Sequence, residues 1–539
     1  MSRNSTQGNT QSQQHFAQIP SANIQRSVFD RSSGHKTTFD AGKLIPFFVD
    51  EVLPGDTMRL NTSFLARLST PIFPYMDNVW MDFHFFFVPN RLVWDNWERF
   101  CGAQDNPDDT TDYLVPQMDR ATYSGDWAYG NLFDYFGFPT NGVTLPAQAD
   151  SPNSLVARCY NLIWNTWYRD ENLQDSVVVD TGDGPDDYAD YNLLTRNRRK
   201  DYFTSMLPWP QKGTAVALPL GTSAPVKGLG FANLSTTAAG GSVFDNGDTT
   251  TTTYAFYKGP MDNSAADKRL YVEQLSSGGA TNIRVDLTEA TASTLNELRE
   301  AATLQQLFEL DARGGTRFNE LLLAHFGVMA PDYRLQRPEL LGVGSAPINV
   351  NPIAQTSETG ATGTPQGNLA AFASSSKSGI GFVKSFVEHG HVIGLVSARA
   401  DNTYQNGMNK MWTRRTRYDF YWPTFANLGE QAVTKGELFY NTTGNDTVIG
   451  YQERWADYRY KPSIVTGLFR SGVSGSLDSW HLAMELDDTI TLESLIPEAP
   501  PIDRIIAVPT EPHFIFDSFT QIRHARPMPT YSIPGITKL

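Results

Sequence analysis

The sequence predicts a mainly β protein with short helices packed on its rim and long loops between the strands. Three observations carry this. From Val79 to Phe87 the odd positions Val79, Met81, Phe83, Phe85 and Phe87 are all apolar, while Trp80, Asp82, His84 and Phe86 are mixed, which is the period of a half-buried strand. From Thr57 to Leu68 the same period recurs, with Met58, Leu60, Thr62, Phe64, Ala66 and Leu68 on one face and Arg59, Asn61, Ser63 and Arg67 on the other. Finally, 12% of the 539 residues are aromatic and the chain carries 42 Gly and 32 Pro, a composition of many strands joined by many turns.

In chain order, residues 1–25 are rich in Ser, Gln and Asn and read as a polar arm that buries little. The strands Thr57–Leu68 and Val79–Phe87 follow one another across STPIFPYMDN and are expected to pair antiparallel. Pro89 lacks the N–H a ladder needs, so the second strand should stop there. Asn90 is then expected to cap a helix carrying Leu92, Trp94, Trp97 and Cys101. Asn153–Asn172 spaces Ala157, Tyr160, Ile163, Trp164, Trp167 and Tyr168 as an amphipathic helix. Residues 222–286 are small-residue, low-complexity tracts suited to an exposed insertion. Beyond them, Thr294 with Glu297 forms a capping box ahead of a helix that Gly314–Gly315 stops, and Thr316–Gly327 reads as a second helix. Residues 344–380 read as a loop, and Phe382–Ala398, Trp412–Trp422 and Phe514–Phe519 as further strands.

Charge and cysteine content bound the function. A net charge of −15 argues against a chain whose main task is coating nucleic acid. Cys101 and Cys159 lie far apart in no metal or redox spacing and are expected to be buried free thiols. No secretory signal or membrane-length apolar run is visible. Phosphate-loop, dinucleotide, zinc-protease and nucleophile-elbow motifs are absent. His389 and His391 have no third ligand at a telling spacing, and we read them as polar residues on the wet face of a strand. The acidic runs Asp105–Asp112 and Asp180–Asp190 do not fit a calcium loop and read as solvated. No catalytic residue, cofactor or metal site is expected.

Two basic clusters stand beside aromatic rings, a pairing suited to phosphate contact with base stacking or to bridging between subunits. One is Arg196, Arg198, Arg199 and Lys200, followed by Tyr202 and Phe203; the other is Arg414, Arg415 and Arg417 among Trp412, Tyr418 and Tyr421. Trp94, Trp97, Trp164, Trp167 and Trp209 sit beside apolar neighbours and read as core or interface anchors.

Several segments together resemble one family. They are FFFVPNRLVWDNWERFCG (85–102), ARCYNLIWNTWYRDENLQ (157–174), RNRRKDYFTSMLPWPQKG (196–213), LQRPELLG (335–342), NVNPIAQTS (349–357), TPQGN (364–368), WADYRYKPSIVTGLFRS (455–471) and MPTYSIPG near the end. In this order they are similar to the major capsid proteins of microviruses, small tailless single-stranded DNA phages, and of the gokushovirus branch in particular. The resemblance implies an eight-stranded antiparallel jelly-roll barrel with long inter-strand insertions containing short helices. It implies about sixty copies in a T=1 icosahedral shell around a circular single-stranded DNA genome. It also implies a surface protrusion, built from residues 222–286 and used in attachment to a host receptor. The capsid domain would then run through 26–221 and 287–539, the latter with helical segments and an extended C-terminal tail. Assembly would take place in the host bacterial cytoplasm, without membrane insertion. About sixty chains at −15 give roughly −900 per shell, so packaging DNA needs cations or a separate small basic protein. A pilot protein is a further implied partner. The competing reading from the residues alone is a carbohydrate-binding or glycan-hydrolysing β-protein, motivated by the Trp and Tyr content and the acidic balance.

Overall fold

A computed structural model describes residues 25–119, 128–140, 151–214, 226–227, 284–285, 295–314, 318–327, 335–357, 363 and 366–531. The chain divides into two units, one of residues 1–210 with 314–539 and one of residues 211–313. The polar arm 1–24, the capping residues ahead of the first long helix, most of the 222–286 tract and the last eight residues lie outside the described residues.

The larger unit is built on two antiparallel sheets. The first contains β1 (Ser27–Asp30), β2 (Ser33–Phe39), β4 (Thr57–Leu68), β7 (Asn349–Ala354), β8 (Leu369–Ser385) and β12 (Phe514–Arg526). Its order is β1–β12–β4–β8–β7, with β2 also on β12. β1 and β2 pair successive stretches of β12, so they form one edge strand interrupted at Arg31–Ser32. The second sheet runs β3 (Ile45–Val52), β9 (Gly390–Ala400), β5 (Val79–Pro89), β6 (Glu339–Pro347).

The alternating pattern of β4 is realised residue by residue: Met58, Leu60, Phe64, Ala66 and Leu68 are buried, while Arg59, Asn61, Leu65 and Arg67 are exposed. Thr62, also inward, meets the Thr520 hydroxyl at 3.1 Å, so its polar atom is satisfied inside the core. The expected pairing of β4 with β5 does not occur. The chain crosses from one sheet to the other between them, and their apolar faces meet across the core with Phe64 and Phe83 at 4.4 Å between ring centroids. Phe47, Phe85 and Phe516 complete this aromatic centre. Each such ring contributes about 1.5–3 kcal/mol by leaving water.

β5 is buried on both faces rather than one. Phe86 and Val88, on the face away from β4, join Ile393 and Leu395 of β9 beneath α1 (Leu155–Ile163) and form a second core with Trp94, Tyr160 and Trp164. α1 runs directly into a π-helical turn, Trp164–Tyr168, close to the predicted helix. The helix expected after Asn90 is instead a 3₁₀ turn, Asn90–Leu92, and a separate helical turn, Trp97–Phe100. α2 (Leu295–Arg313), in the smaller unit, and α3 (Phe318–Phe326), in the larger, agree with prediction.

Three expectations for the second half are corrected. Phe382–Ala398 is two strands, β8 and β9, in different sheets. Much of the expected loop 344–380 is strand: β7 pairs the first half of β8 at a sheet edge, where exposure erases the apolar signature. Trp412–Trp422 is not a strand but a succession of 3₁₀ turns at 410–412, 417–419 and 423–425. Beyond it, β10 (Glu430–Thr434) and β11 (Val448–Glu453) form a hairpin over a third core that includes Tyr202, Phe203, Tyr404 and Leu438.

Candidate assembly surface

Two long insertions leave the sheets, residues 90–338 between β5 and β6 and residues 401–513 between β9 and β12. The predicted basic clusters lie one on each. In the first, the guanidinium of Arg196 donates to Asp82 Oδ2 at 2.8 Å, and Arg399 of β9 donates to the same oxygen at 2.6 Å. Burial alone would push the Asp82 carboxyl up, but the Ser345 hydroxyl and the two guanidiniums hold it below the usual carboxylate range. Arg198 donates to the carbonyls of Pro497 at 2.9 Å and Ala499 at 3.4 Å, tying one insertion to the other. Lys200 pairs with Asp170 and donates to Thr204 O. Arg199 is exposed, with no ion pair to any described residue.

The second cluster is differently placed. Arg414 pairs with Asp457 and lies 4.2 Å over the ring of Tyr458, so it belongs to the fold of its own loop. Arg415 and Arg417 are exposed, and the Arg417 guanidinium lies 4.7 Å over Trp422. Around them stand Trp412 at 71% exposure, Tyr418 at 66% and Phe420 at 50%, with Met411, Tyr421 and Trp422 also exposed. The loop holding these rings is shaped by its own polar groups. Asn409 accepts the Met411 N–H, and the Asp419 carboxylate accepts the N–H groups of Arg415 at 2.9 Å and Thr416 at 2.7 Å.

Beneath this loop lies Trp455, buried and held at φ 71°, a left-handed conformation that a bulky residue adopts at a cost. Its indole donates to Phe425 O at 2.9 Å, and its ring meets Tyr421 edge-on at 5.6 Å. A strained residue thus lies under the surface loop that carries the exposed aromatic rings. Nothing in the local sequence signals the strain.

The five predicted tryptophans divide. Trp94 is fully buried and donates to Asp183 at 2.7 Å; Trp164 is buried and donates to Thr195 O at 2.9 Å. Trp97 and Trp209 are half-buried, Trp97 against Trp94 and His389. Trp167 is exposed, donates to Pro338 O and has the Arg337 guanidinium 5.8 Å above it.

Other expectations are adjusted by burial. His391 lies inside the second sheet, not on a wet face. Asp186 of the 180–190 run is buried against Arg158, whereas Asp105–Asp112 is a surface loop. Cys159 and Cys101 are both free thiols, but Cys101 is exposed. Among the described residues no group of three His, Cys, Asp or Glu side chains could hold a metal ion, and no helix is long and apolar enough to cross a membrane.

A rigid two-sheet framework with arginine-bearing aromatic loops held open to solvent defines a structural subunit built for association. The chain belongs to the phage capsid protein (F protein) family, whose model matches residues 17–536. It is 46% identical to capsid protein VP1 of Bdellovibrio phage phiMH2K, over 98% of each chain. It is 43% identical to capsid protein VP1 of Chlamydia phage 1, over 97% of this chain and 98% of that one. With capsid protein VP1 of Spiroplasma virus 4 the identity is 36%, over 94% of both. The protein is thus a phage capsid protein, a component of the virion.

Proposed function

We propose that this subunit closes with about sixty copies of itself into a T=1 shell around a circular single-stranded DNA genome, with no catalytic step of its own. The observation that carries the reading is the exposed Met411–Trp422 surface. Aromatic rings, methionine and arginine held rigidly in water are the composition of an interface core awaiting its partner.

The framework is read as an eight-stranded jelly roll. Taking β1 with β2 as strand B, and β3, β4, β5, β6, β8, β9 and β12 as C to I, the first sheet reads B–I–D–G and the second C–H–E–F. This order is the support for that reading. Arg199, Arg415 and Arg417, whose side chains stand in solvent, are the members of the predicted clusters available to bridge subunits or meet DNA. The other four are engaged within their own chain.

The domain boundaries are proposed as the sequence places them: the arm 1–25, the capsid domain through 26–221 and 287–539, and the 222–286 tract as a protrusion for host attachment. That tract falls within the separate unit 211–313, which supports treating it as a module. The charge of −15 per chain supports a small basic packaging protein as partner; a pilot protein remains an inference from the resemblance. Negative-stain microscopy and light scattering of the purified chain test the whole: uniform shells are expected, and a monomer or small oligomer under all assembly conditions overturns it.

A further inference from the structure

The two sheets differ in what lies outside them. The outer face of the second is covered by α1 and the first insertion. The outer face of the first is bare among the described residues, and its alternation is clear: along β4, and along β12 as far as His524, every second side chain is buried and the intervening ones are exposed or half-exposed. The register sets these outward residues in rows. Arg523 stands opposite Arg59, Gln521 opposite Asn61, and Phe519, 49% exposed, opposite Ser63; Arg67 closes the row at the far end, opposite Ile515.

The charges on this face do not cancel. Lys36 and Asp517 pair with each other at 3.1 Å. Asp30 lies across from Arg523 in the register; the Ser32 hydroxyl and N–H, with the Arg523 charge adding to them, hold its carboxyl below the usual carboxylate range, so Arg523 is partly compensated. Arg59 and Arg67 have no ion pair to any described residue. Like charges directly opposite on neighbouring strands destabilise a sheet. An Arg59–Arg523 pair is therefore tolerated at a cost that a bridging anion would remove. On a chain of net charge −15, a sheet face with surplus arginine, two side-by-side amides and an exposed phenyl ring, set among the exposed aliphatic chains of Leu65, Val383 and Ile515, is a local exception. Guanidiniums for phosphates, amides for base edges and a ring for stacking are what a sequence-tolerant single-strand surface requires. A basic protein would be repelled by the same face.

We propose that the bare face of the first sheet, centred on Arg59, Asn61, Arg67, Phe519, Gln521 and Arg523, is where the subunit holds packaged single-stranded DNA. The proposal rests on the shell reading above. It assigns the DNA contact to the framework itself, apart from the basic clusters of the insertions.

The test combines the full-length triple variant Arg59→Gln, Arg67→Gln, Arg523→Gln with its Arg→Lys counterpart. The probe is a fluorescent thirty-nucleotide oligo-dT titrated at several salt concentrations. The Gln variant is expected to bind about tenfold more weakly at low salt, with the salt slope reduced by about 2, while the Lys variant keeps most of both. Shells of the Gln variant should form at normal yield and protect less DNA from nuclease. Ultraviolet crosslinking of wild-type particles, which needs no folded variant, should place nucleotide adducts on peptides of β4 or β12. Unchanged oligonucleotide affinity in a folded Gln variant overturns the proposal, as do crosslinks confined to other segments. Folded Gln subunits that bind DNA normally but fail to assemble would make the face a subunit contact and also overturn it. A wild-type chain that binds oligo-dT through these arginines yet never forms shells would sink the shell reading alone.

Discussion

Arg158 and Asp186 form an ion pair closed off from solvent, their side chains 0% and 1% exposed, with Nε to Oδ2 at 2.7 Å and a second contact to Oδ1 at 2.5 Å. Arg158 also donates to Val93 O at 2.8 Å and Gly182 O at 2.9 Å, and the Tyr191 hydroxyl donates to Asp186 at 2.6 Å. One arginine on α1 thereby locks the start of the first insertion to the 180–190 loop. Truncating either partner leaves the other charge buried and unpaired. Arg158→Ala or Asp186→Ala should each cost about 3–5 kcal/mol in urea unfolding of the subunit, and the double variant less than the sum. Equal and additive losses below about 1 kcal/mol would show the pair to be dispensable.

Two histidines of the second sheet, His391 buried and His84 partly so, contribute to an acid limit on stability. Burial pushes the His391 imidazole down to about 4. Burial, with the Arg196 and Arg399 charges adding to it and Asp82 opposing, pushes His84 down to about 4 as well. Both therefore stay neutral in the fold, while in the unfolded chain they titrate near 6.5. Stability is complete above that value and falls as pH drops from about 6.5 towards 4, because only the unfolded state takes up the protons. Between pH 7 and 5 each histidine should remove about 2 kcal/mol. Urea midpoints measured across this range should show the slope, to which His35, His481 and His524, also held low mainly by burial, add in the same direction, and His391→Gln should make it shallower; a wild-type curve flat to pH 5 would contradict the assignment.

The two sheets approach closely at β6 and β8. A Cβ added at Gly342 would stand 2.7 Å from Gly381 O, and one added at Gly381 would stand 2.0 Å from Leu60 O. Each contact is with backbone, which cannot swing aside. Gly381→Ala should therefore destabilise the subunit by at least about 1–3 kcal/mol through displacement of β4 from β8. Thermal unfolding checks this, with Gly379→Ala as a comparison: no atom lies within 4 Å of a Cβ there, but its φ of +84° makes the substitution strained for a different reason. A smaller loss at Gly381 than at Gly379 would mean that the strands part without penalty.

What could be read from the sequence follows from where each strand sits. β4 and β12 keep one face in water, so their period of two is clean, although the Phe514–Phe519 run stopped short of the observed Arg526. β5 and β9 are covered on both faces; continuous burial left β5 looking like a noisy half-buried strand and blurred the end of β8 into β9. β7 and the first half of β8 are at an edge, with Asn, Ser and Ala on display, and read as loop. The basic clusters were visible as composition, but composition cannot say which arginine meets a carboxylate. Asp82 lies far along the chain from Arg196 and Arg399, and Asp457 far from Arg414. Arg59 and Arg523 were equally hidden as a pair, because only the register of β4 with β12 sets them side by side.

The surface loop over Trp455 separates folding from assembly. Trp412, Tyr418 and Phe420 are exposed, so truncating them removes little from the subunit's own packing. Trp455 is buried, and its indole and ring hold the loop in place through Phe425 O and Tyr421. Trp412→Ala with Phe420→Ala should leave the thermal midpoint of the free subunit nearly unchanged, yet raise the protein concentration needed for shell formation by about tenfold or more, since aromatic anchors dominate interface energy. Trp455→Phe should act on both: it deletes the hydrogen bond to Phe425 O and loosens the loop, lowering subunit stability by about 1–2 kcal/mol and impairing assembly with it. Light scattering against concentration, paired with calorimetry of the unassembled chain, distinguishes the two patterns. If the exposed-ring variant assembles at the wild-type concentration, the neighbouring subunit makes its contact elsewhere.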